Sequence, residues 1–324
     1  MAGLRAVRDS LERIDDTTIG CEQLPYREVN VGAAVSEIMS QPRCWVDAAA
    51  LASRADGLPD PSERVAVVGC GTSYNVALSY ARVREDSELG ETDAFAASEM
   101  SESRAYDRYI FISRSGTTTE VLDAMSRVVR ATPKTVLTAE SASPIARAAD
   151  AVVLLDFANE ESVLQTRFAT SVVVLLRAGL GEDVGPVIQD ANVAVDSPLP
   201  PGSLDAARYS FLGTGWTLGL AYEAALKVRE SSQSWTEAYQ SMEFRHGPIS
   251  GADSSSLIWS LGSLPIGLES DLRATGATVV VSDLDPLAEL IRIQRLAIEL
   301  AASRGVDPDH PRHLSRSVIL SGYP

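Results

Sequence analysis

Short runs of β-branched and aromatic residues alternate along this chain with longer stretches whose apolar residues recur every three or four positions. The short runs predict strands and the longer stretches predict helices. The predicted strands cover residues 65–68, 109–112, 135–138, 152–155, 209–212, 257–260 and 278–281. The predicted helices begin near residues 75 and 217 and cover 118–130, 165–179 and 286–304. Strands that alternate with helices form a parallel sheet covered by helices on both faces, so the predicted fold class is α/β.

A polar segment with three prolines, DSPLPPGSLD at residues 196–205, interrupts this pattern and predicts a linker. The halves on either side open alike, because RVAVVGCGTS and RYSFLGTGWT each predict a strand, a glycine-containing loop and a helix. We therefore expect an internal duplication, with two subdomains that are each a parallel sheet flanked by helices. The expected organisation is an N-terminal arm (1–42), subdomain 1 (43–195), the linker (196–205), subdomain 2 (206–305) and a C-terminal tail (306–324).

Composition and charge narrow the classes of partner. The 324 residues suffice for about two domains. With 28 basic and 44 acidic residues, the net charge of −16 argues against nucleic acid or an anionic membrane as the partner. Cys21, Cys44 and Cys70 are odd in number and widely spaced, which argues against a disulfide framework and fits a reducing cytoplasm. No apolar run approaches the ~18 residues of a membrane span, and the charged N-terminus is unlike a signal peptide. We therefore expect a cytoplasmic protein.

The loop at residues 113–119, SRSGTTT, carries five hydroxyl groups and a glycine between a predicted strand and a predicted helix. The first N–H groups and the dipole of a helix favour an anion. Thr72 and Ser73 follow the neighbouring strand and are expected to face the same ligand, since ligands bind at the carboxyl ends of parallel strands. Helix capping would explain one or two of these hydroxyls but not five. The nucleotide and dinucleotide fingerprints are missing, so the predicted ligand is a phosphate group on a small molecule.

The helix that opens the second half carries Glu223, Lys227 and Glu230 on one stripe. A solvent-exposed face with an ion pair would explain the same spacing. Lys227, however, is one of only two lysines among the 28 basic residues, and a lysine can lose its proton when buried, unlike an arginine. His246, followed by Gly-Pro in an expected turn, is a candidate acid–base residue. No cluster of residues has metal-ligand spacing, so neither a metal nor a cofactor is expected.

Six segments together resemble one family of enzymes. They are GCGTSYN, ASEM (97–100), ISRSGTTTE, SVLQTRFATS (162–171), ALKVRESSQSWTEAYQSMEFRHGPIS (225–250) and DPDHPRHLSRSVIL (307–320). They resemble, in the same order over about residues 37–322, the isomerase domain of glucosamine-6-phosphate synthase and the stand-alone amino-sugar-phosphate deaminases and isomerases. The chain is identified as a member of the double SIS (sugar isomerase) family.

This resemblance implies a phosphate-binding set and a loop that closes on the sugar. The implied phosphate-binding residues are Ser113, Ser115 and Thr118, with Thr72 and Ser73 nearby. Arg114 stands where the family has glutamine and is expected to add positive charge near the anion. The implied substrate-loop residues are Val163, Gln165 and Thr166.

The resemblance also implies the catalytic roles. Glu230 matches the carboxylate that moves a proton between C1 and C2 of the sugar, and Lys227 matches the lysine beside it. His246 matches the residue that opens the sugar ring from the neighbouring subunit, so a homodimer with shared active sites is implied. Arg316 replaces the tail lysine that forms a Schiff base, and an arginine cannot be that nucleophile, although it can contact a sugar oxygen.

The expected function is that of a phosphosugar aldose–ketose isomerase or an isomerising deaminase of glucosamine- or galactosamine-6-phosphate type. No glutaminase activity is expected, because the chain begins Met-Ala and lacks the N-terminal cysteine nucleophile. Two alternatives stay open at this point: a fructosamine-phosphate deglycase and a non-catalytic sugar-phosphate sensor.

Overall fold

The computed structural model describes residues 32–321. Most of the predicted N-terminal arm, residues 1–31, lies outside this range, as do the last three residues. The described helices are α1 (Ala33–Met39), α2 (Gln41–Ala52), α3 (Thr72–Asp86), α4 (Thr119–Arg127), α5 (Pro144–Ala148), α6 (Arg167–Gly179), α7 (Gly185–Asp196), α8 (Thr217–Ser232), α9 (Leu268–Ala274) and α10 (Pro286–Ser303). The strands are β1 (Val65–Gly69), β2 (Thr92–Ala96), β3 (Arg108–Ile112), β4 (Lys134–Thr138), β5 (Ala151–Leu154), β6 (Arg208–Gly213), β7 (Thr236–Gln240), β8 (Ser256–Leu261) and β9 (Thr278–Val280).

The strands form two parallel sheets, which confirms the predicted α/β class and the two predicted sheets. The first sheet has the order β2-β1-β3-β4-β5 and the second the order β7-β6-β8-β9. The first four strands of each sheet therefore have the same order along the chain and across the sheet. This shared topology supports the expected duplication.

Successive side chains along a strand pack into different hydrophobic cores, one on each face of the sheet. Val65 and Val67 point into the largest core, which also takes in Tyr209 and Phe211 of the second sheet and residues of α3, α6, α8 and α10. The intervening residues of β1 pack instead against α4 on the other face of the first sheet. A third, smaller core lies under α9 on the far face of the second sheet. Because side chains alternate along a strand, buried parallel strands consist of near-continuous apolar residues, as seen in VAVVG.

Two strands were missing from the sequence prediction, and they occupy matching places. β2 (TDAFA) pairs only with β1, and β7 (TEAYQ) pairs only with β6, at one edge of each sheet. Most of their residues are half-buried. An edge strand has one neighbouring strand and can keep polar residues, so it lacks the apolar run by which the inner strands were recognised.

The predicted boundary after residue 42 falls inside a helix. α2 spans it, and α2 buries Trp45 completely in the largest core, where the indole N–H donates to Thr170 Oγ1 at 2.9 Å. Ala34 and Ile38 of α1 are buried as well. The residues just before the boundary therefore pack into the core that both sheets share, against α10 among others, rather than forming an arm. The predicted linker begins where α7 ends, and β6 begins at Arg208.

Candidate active site

The loop after β3, residues 113–119, is here called the hydroxyl loop. Ser113 and Ser115 are buried, and each hydroxyl accepts a hydrogen bond from within the loop, from the N–H of Gly116 at 3.2 Å and of Thr117 at 3.3 Å respectively. Gly116 has a φ of +63°, and a Cβ atom there would lie 2.2 Å from the Ser143 hydroxyl, so the turn requires glycine. Thr118 is the N-cap of α4 but makes no side-chain capping bond. Capping therefore does not account for its hydroxyl.

The C-terminal tail lies on the hydroxyl loop. The tail's described part is residues 306–321. The Ser317 hydroxyl is 2.9 Å from Thr117 Oγ1, and the Ser317 and Thr118 hydroxyls are 3.4 Å apart. The N–H of Thr119 donates to the carbonyl of Val318 at 3.1 Å. The tail thus covers the first turn of α4, where an anion is expected.

A buried carboxylate joins the two halves of the fold. These halves are here called the first lobe, which contains the sheet of β1–β5, and the second lobe, which contains the sheet of β6–β9. Glu223 on α8 accepts from the Thr72 hydroxyl at 3.1 Å and from the Asn75 side-chain amide at 2.9 Å, and both donors belong to α3 of the first lobe. The helices approach closely because α8 has glycine at 219, where a Cβ atom would lie 2.3 Å from the Asn75 carbonyl oxygen. Burial raises the pKa of Glu223 to about 7, although Lys227 and the two hydrogen bonds act to lower it.

Lys227 lies between two carboxylates. Its ammonium forms an ion pair with Glu230 and lies 3.5 Å from Glu223 Oε1, while the Lys227 side chain is only 1% exposed. Burial by itself would lower the pKa of Lys227, but Glu230 and Glu223 outweigh burial and hold that pKa above its ordinary value. Lys227 is therefore a cation at neutral pH. The solvent-exposed alternative for this helix face is wrong for Lys227 and Glu223, whereas the Glu230 side chain keeps 18% of its surface exposed.

Arg114 does not extend toward an anion in this structure. Its guanidinium is fully buried and pairs with Glu160 at 3.0 Å. It also donates to the carbonyls of Ser162 and Val163, at 3.2 and 3.3 Å, and of Arg316 in the tail at 3.3 Å. The expectation that Arg114 adds free positive charge near the phosphate is therefore corrected, because the buried Glu160 neutralises that charge.

Residues 160–166, which contain the predicted substrate-loop residues Val163, Gln165 and Thr166, are here called the substrate loop, and they are held from several sides. The N–H and hydroxyl of Thr166 both bond to Glu160 Oε1, and this anchoring makes α6 begin at Arg167 rather than at residue 165. The N–H of Val163 donates to the carbonyl of Asp309 in the tail. Gln165 is half-buried, and its Oε1 is enclosed without a hydrogen-bond partner in the described part of the chain.

Two predicted catalytic residues make no hydrogen bond or ion pair with the charged cluster of Glu223, Lys227 and Glu230. Arg316 pairs with Glu140 at 3.3 Å and donates to the Asn159 side chain at 2.8 Å. Its guanidinium is therefore engaged by the edge of the first lobe. His246 ends a short 3₁₀ helix after β7, and its side chain is exposed and makes no hydrogen bond within residues 32–321. Ser73, of the predicted phosphate set, is buried at the first turn of α3.

Sequence reasoning placed Glu223 on the charged stripe but gave it no role in the site, and it missed Asn75 and Glu160 altogether. The only signal for Glu223 was its i,i+4 spacing to Lys227, which an ordinary surface pair shares. Asn75 and Glu160 become important through contacts between lobes and loops far apart in sequence. No local pattern reveals such contacts.

The corresponding cleft of the second lobe is lined mainly by acidic side chains. A cavity of approximately 930 Å³ lies where β6, β8 and β9 end. Its lining includes one guanidinium, that of Arg177, which pairs with Glu182 and Asp285. Three further carboxylates line it, on Asp183, Asp190 and Asp283. Its net charge is unfavourable for a phosphate group.

Within residues 32–321, no group of three or more His, Cys, Asp or Glu side chains is arranged to hold a metal ion. No helix in that range combines the length and the apolar character needed to cross a membrane.

Comparisons with known proteins show which proteins the chain resembles. A family model described as "SIS domain" matches residues 60–178. The glutamine–fructose-6-phosphate aminotransferase (isomerizing) of Methanothermobacter thermautotrophicus is 28% identical over 307 residues, covering 80% of this chain and 52% of that protein. The Sulfurisphaera tokodaii enzyme of the same name is 29% identical, covering 80% and 50%. The chain thus spans about half the length of these curated relatives.

Solved structures give the same result. A glucosamine-6-phosphate deaminase from Thermotoga maritima superposes with a TM-score of 0.74 at 25% identity, covering 89% of this chain and all of that one. Tagatose-6-phosphate ketose/aldose isomerase from Escherichia coli, at 18% identity, shares the fold with a TM-score of 0.72 over 93% of this chain and all of that one. Residues 60–178 therefore form a SIS domain, and the chain is homologous to the isomerase domain of the fructose-6-phosphate aminotransferases and to phosphosugar isomerases.

Proposed function

We propose that this protein is an isomerising deaminase of an amino-sugar 6-phosphate, of the glucosamine- or galactosamine-6-phosphate type. The observation that carries the proposal is the buried Lys227 between Glu223 and Glu230, linked through Thr72 to the loop after β1. An acid–base group thus lies beside the sheet edge that carries the hydroxyl loop. The deaminase from Thermotoga maritima, similar along its whole length, supports the choice of reaction.

The hydroxyl loop binds the phosphate in this proposal. Ser113, Ser115 and Thr118 offer hydroxyls at the first turn of α4, whose dipole favours an anion. The bound phosphate fixes one end of the open-chain sugar, so that C1 and C2 extend toward the charged cluster. Positioning of this kind converts binding energy into orientation.

Glu230 is proposed to move the proton between C2 and C1, because it is the most exposed carboxylate of the cluster. Lys227 is a cation and so stabilises the negative charge that develops on the C1 oxygen in the enolamine. Taking the proton from C2 and returning it to C1 converts the amino aldose into a ketimine. Water then adds to the ketimine carbon, ammonia leaves, and the ketose phosphate remains.

His246 is proposed to open the sugar ring in the site of a second copy of the chain. Its exposure within one chain is what such sharing requires. We therefore propose a homodimer, in the cytoplasm, with shared active sites. Sedimentation analysis of the purified chain tests the dimer directly.

The chemistry at C1 and C2 is the same for a hydroxyl substituent, which would make the protein a plain aldose–ketose isomerase. A fructosamine-phosphate deglycase acts at the same carbons. Incubation with glucosamine-6-phosphate, galactosamine-6-phosphate, tagatose-6-phosphate and a phosphorylated fructosamine, with ammonia and ketose measured separately, distinguishes these reactions. Equimolar ammonia and ketose from an amino-sugar phosphate is the expected result. Binding of several sugar phosphates without turnover would instead support a sensor.

A further inference from the structure

We infer that Arg114 is a positioning residue. It links the binding of an anion at the hydroxyl loop to the docking of the substrate loop and the tail over that loop. The inference rests on the proposed function for the nature of the anion. Arg114 is not proposed to touch substrate.

The main chain of Arg114 is fixed to the first sheet. Its carbonyl accepts from the N–H of Ala139 at 3.1 Å and from the Thr138 hydroxyl at 3.1 Å, where β4 ends. Arg114 stands between Ser113 and Ser115 in sequence. Any anion that binds those serines therefore acts directly on the backbone that carries the Arg114 side chain.

The side chain of Arg114 contacts both the substrate loop and the tail. Its two terminal nitrogens bond to Glu160 and to the carbonyls of Ser162 and Val163 in the substrate loop. One of them also bonds to the carbonyl of Arg316 in the tail. A planar guanidinium with five donors can hold these acceptors together, whereas the glutamine of the family pattern could not.

The two segments are also joined to each other, so they can respond together. Asp309 of the tail accepts from the N–H groups of Ala33 and Ala34, at 2.8 and 2.7 Å, at the start of α1. Glu37 of α1 in turn accepts from the N–H of Glu161 in the substrate loop at 2.6 Å. The tail, α1 and the substrate loop form a closed circuit of contacts, and Arg114 connects this circuit to the hydroxyl loop.

Coupling of this kind has a measurable thermodynamic signature. If an anion binds more tightly when the tail is seated, it must shift the tail toward the seated state by the same factor. Inorganic phosphate alone is a sufficient probe, because the inference concerns the anion and not the sugar. Amide hydrogen–deuterium exchange, read by mass spectrometry, reports on each segment separately.

In the unmodified protein, we expect millimolar phosphate to slow exchange in residues 113–119 and, by about tenfold, in residues 308–320. In Arg114→Gln, the slowing in 113–119 should persist while that in 308–320 falls below about twofold. Arg114→Lys keeps the charge facing Glu160 but cannot reach all the carbonyls, so it should fold and give an intermediate effect. Arg312→Gln, at an exposed tail position, makes the same charge change and should behave as the unmodified protein.

Tail slowing that is undiminished in both Arg114 variants would overturn the inference, as would slowing confined to 113–119 in the unmodified protein. The absence of any phosphate effect at 113–119 in the unmodified protein would instead overturn the proposed anion site, and the coupling with it. A merely structural role for Arg114 predicts loss of thermal stability with an unchanged response to phosphate, which these measurements separate.

Discussion

At the scale of single residues, burial decides what each charged group of the site can do. Lys227 is shielded from solvent yet remains cationic because two carboxylates face it. We therefore expect Lys227 to stabilise negative charge rather than to act as a base or a nucleophile. Glu230 keeps a partly exposed side chain, which is why it is proposed as the carboxylate that contacts substrate.

Replacing Glu230 by glutamine should lower kcat by about 10²- to 10⁴-fold, the usual contribution of a positioned base. The KM for the sugar phosphate should change only a few-fold, because the phosphate end is bound elsewhere. Steady-state kinetics with the best substrate of the panel tests this. A rate within tenfold of the unmodified enzyme would remove Glu230 from the mechanism.

Replacing Ser115 by alanine should have the opposite profile. Loss of one hydrogen bond to a charged group costs about 1.5–3 kcal/mol, so KM should rise roughly 10- to 150-fold with little change in kcat. The Ser115 hydroxyl also accepts two bonds from Thr117, so the melting temperature should be recorded alongside the kinetics. An unchanged KM would mean that the phosphate does not bind at Ser115.

Glu223 should make the stability of the fold depend on pH. Its pKa is about 7 in the folded protein, above the ordinary value of 4.5, so the folded state retains a proton that the unfolded state releases. The contribution of Glu223 to the free energy of unfolding is fully present below pH 4.5 and is lost as the pH rises through 7. The free energy of unfolding of Glu223→Gln, minus that of the unmodified protein, should therefore increase from pH 5 to pH 8, by up to about 3 kcal/mol. Denaturant titrations at both pH values test the sign, and a difference that does not change with pH would contradict it.

Much of this residue-level detail was beyond sequence reasoning for a physical reason. The hydroxyl loop was recognisable because five hydroxyls at one helix start are unusual in any context. The partners of Arg114 and Glu223 lie 46 and about 150 positions away, so the sequence showed their charge but not whether it was neutralised.

At the scale of elements, the contact between α3 and α8 is what brings the lobes' chemistry together. The inner strands and long helices were predictable because full burial demands continuous apolar residues. The edge strands β2 and β7 were not, since they are mostly half-buried and contain polar residues that interrupt the apolar run. The start of α6 was displaced by Glu160, a tertiary anchor that no helix-start pattern contains.

Gly219→Ala tests the helix contact. In an exposed helix this change would stabilise by about 0.5–1 kcal/mol, but here the new Cβ would lie 2.3 Å from a backbone oxygen of α3. We expect a net loss of about 1–3 kcal/mol, measured by denaturant unfolding, together with reduced kcat as Glu223 leaves Thr72 and Asn75. Gly251→Ala, where a Cβ meets nothing within 4 Å, is the matched control and should be near neutral. Equal effects of the two changes would contradict the close approach.

At the scale of the whole molecule, two sheets of matching topology carry different chemistry. The first lobe has hydroxyls where its strands end, and the corresponding cleft of the second lobe is lined by five carboxylates and Arg177. The duplication could be predicted from the two similar openings, RVAVVGCGTS and RYSFLGTGWT. The charge of the second cleft could not, because its lining comes from α7 and two further loops that are distant in sequence.

Isothermal titration calorimetry with a sugar phosphate should therefore give one site per chain, even for a fold with two equivalent clefts. Five carboxylates against a single guanidinium in one concave cleft repel an anion. Ser115→Ala should weaken the single isotherm rather than reveal a second one. A stoichiometry of two in the unmodified protein would contradict the charge argument.

The hydrogen bonds from Thr72 and Asn75 to Glu223 carry an evolutionary consequence. A lobe produced without the other would leave Glu223 without these two hydrogen bonds and would expose the apolar surface that the two lobes share. We therefore expect genes for this fold to keep the two halves in one reading frame rather than to split between them.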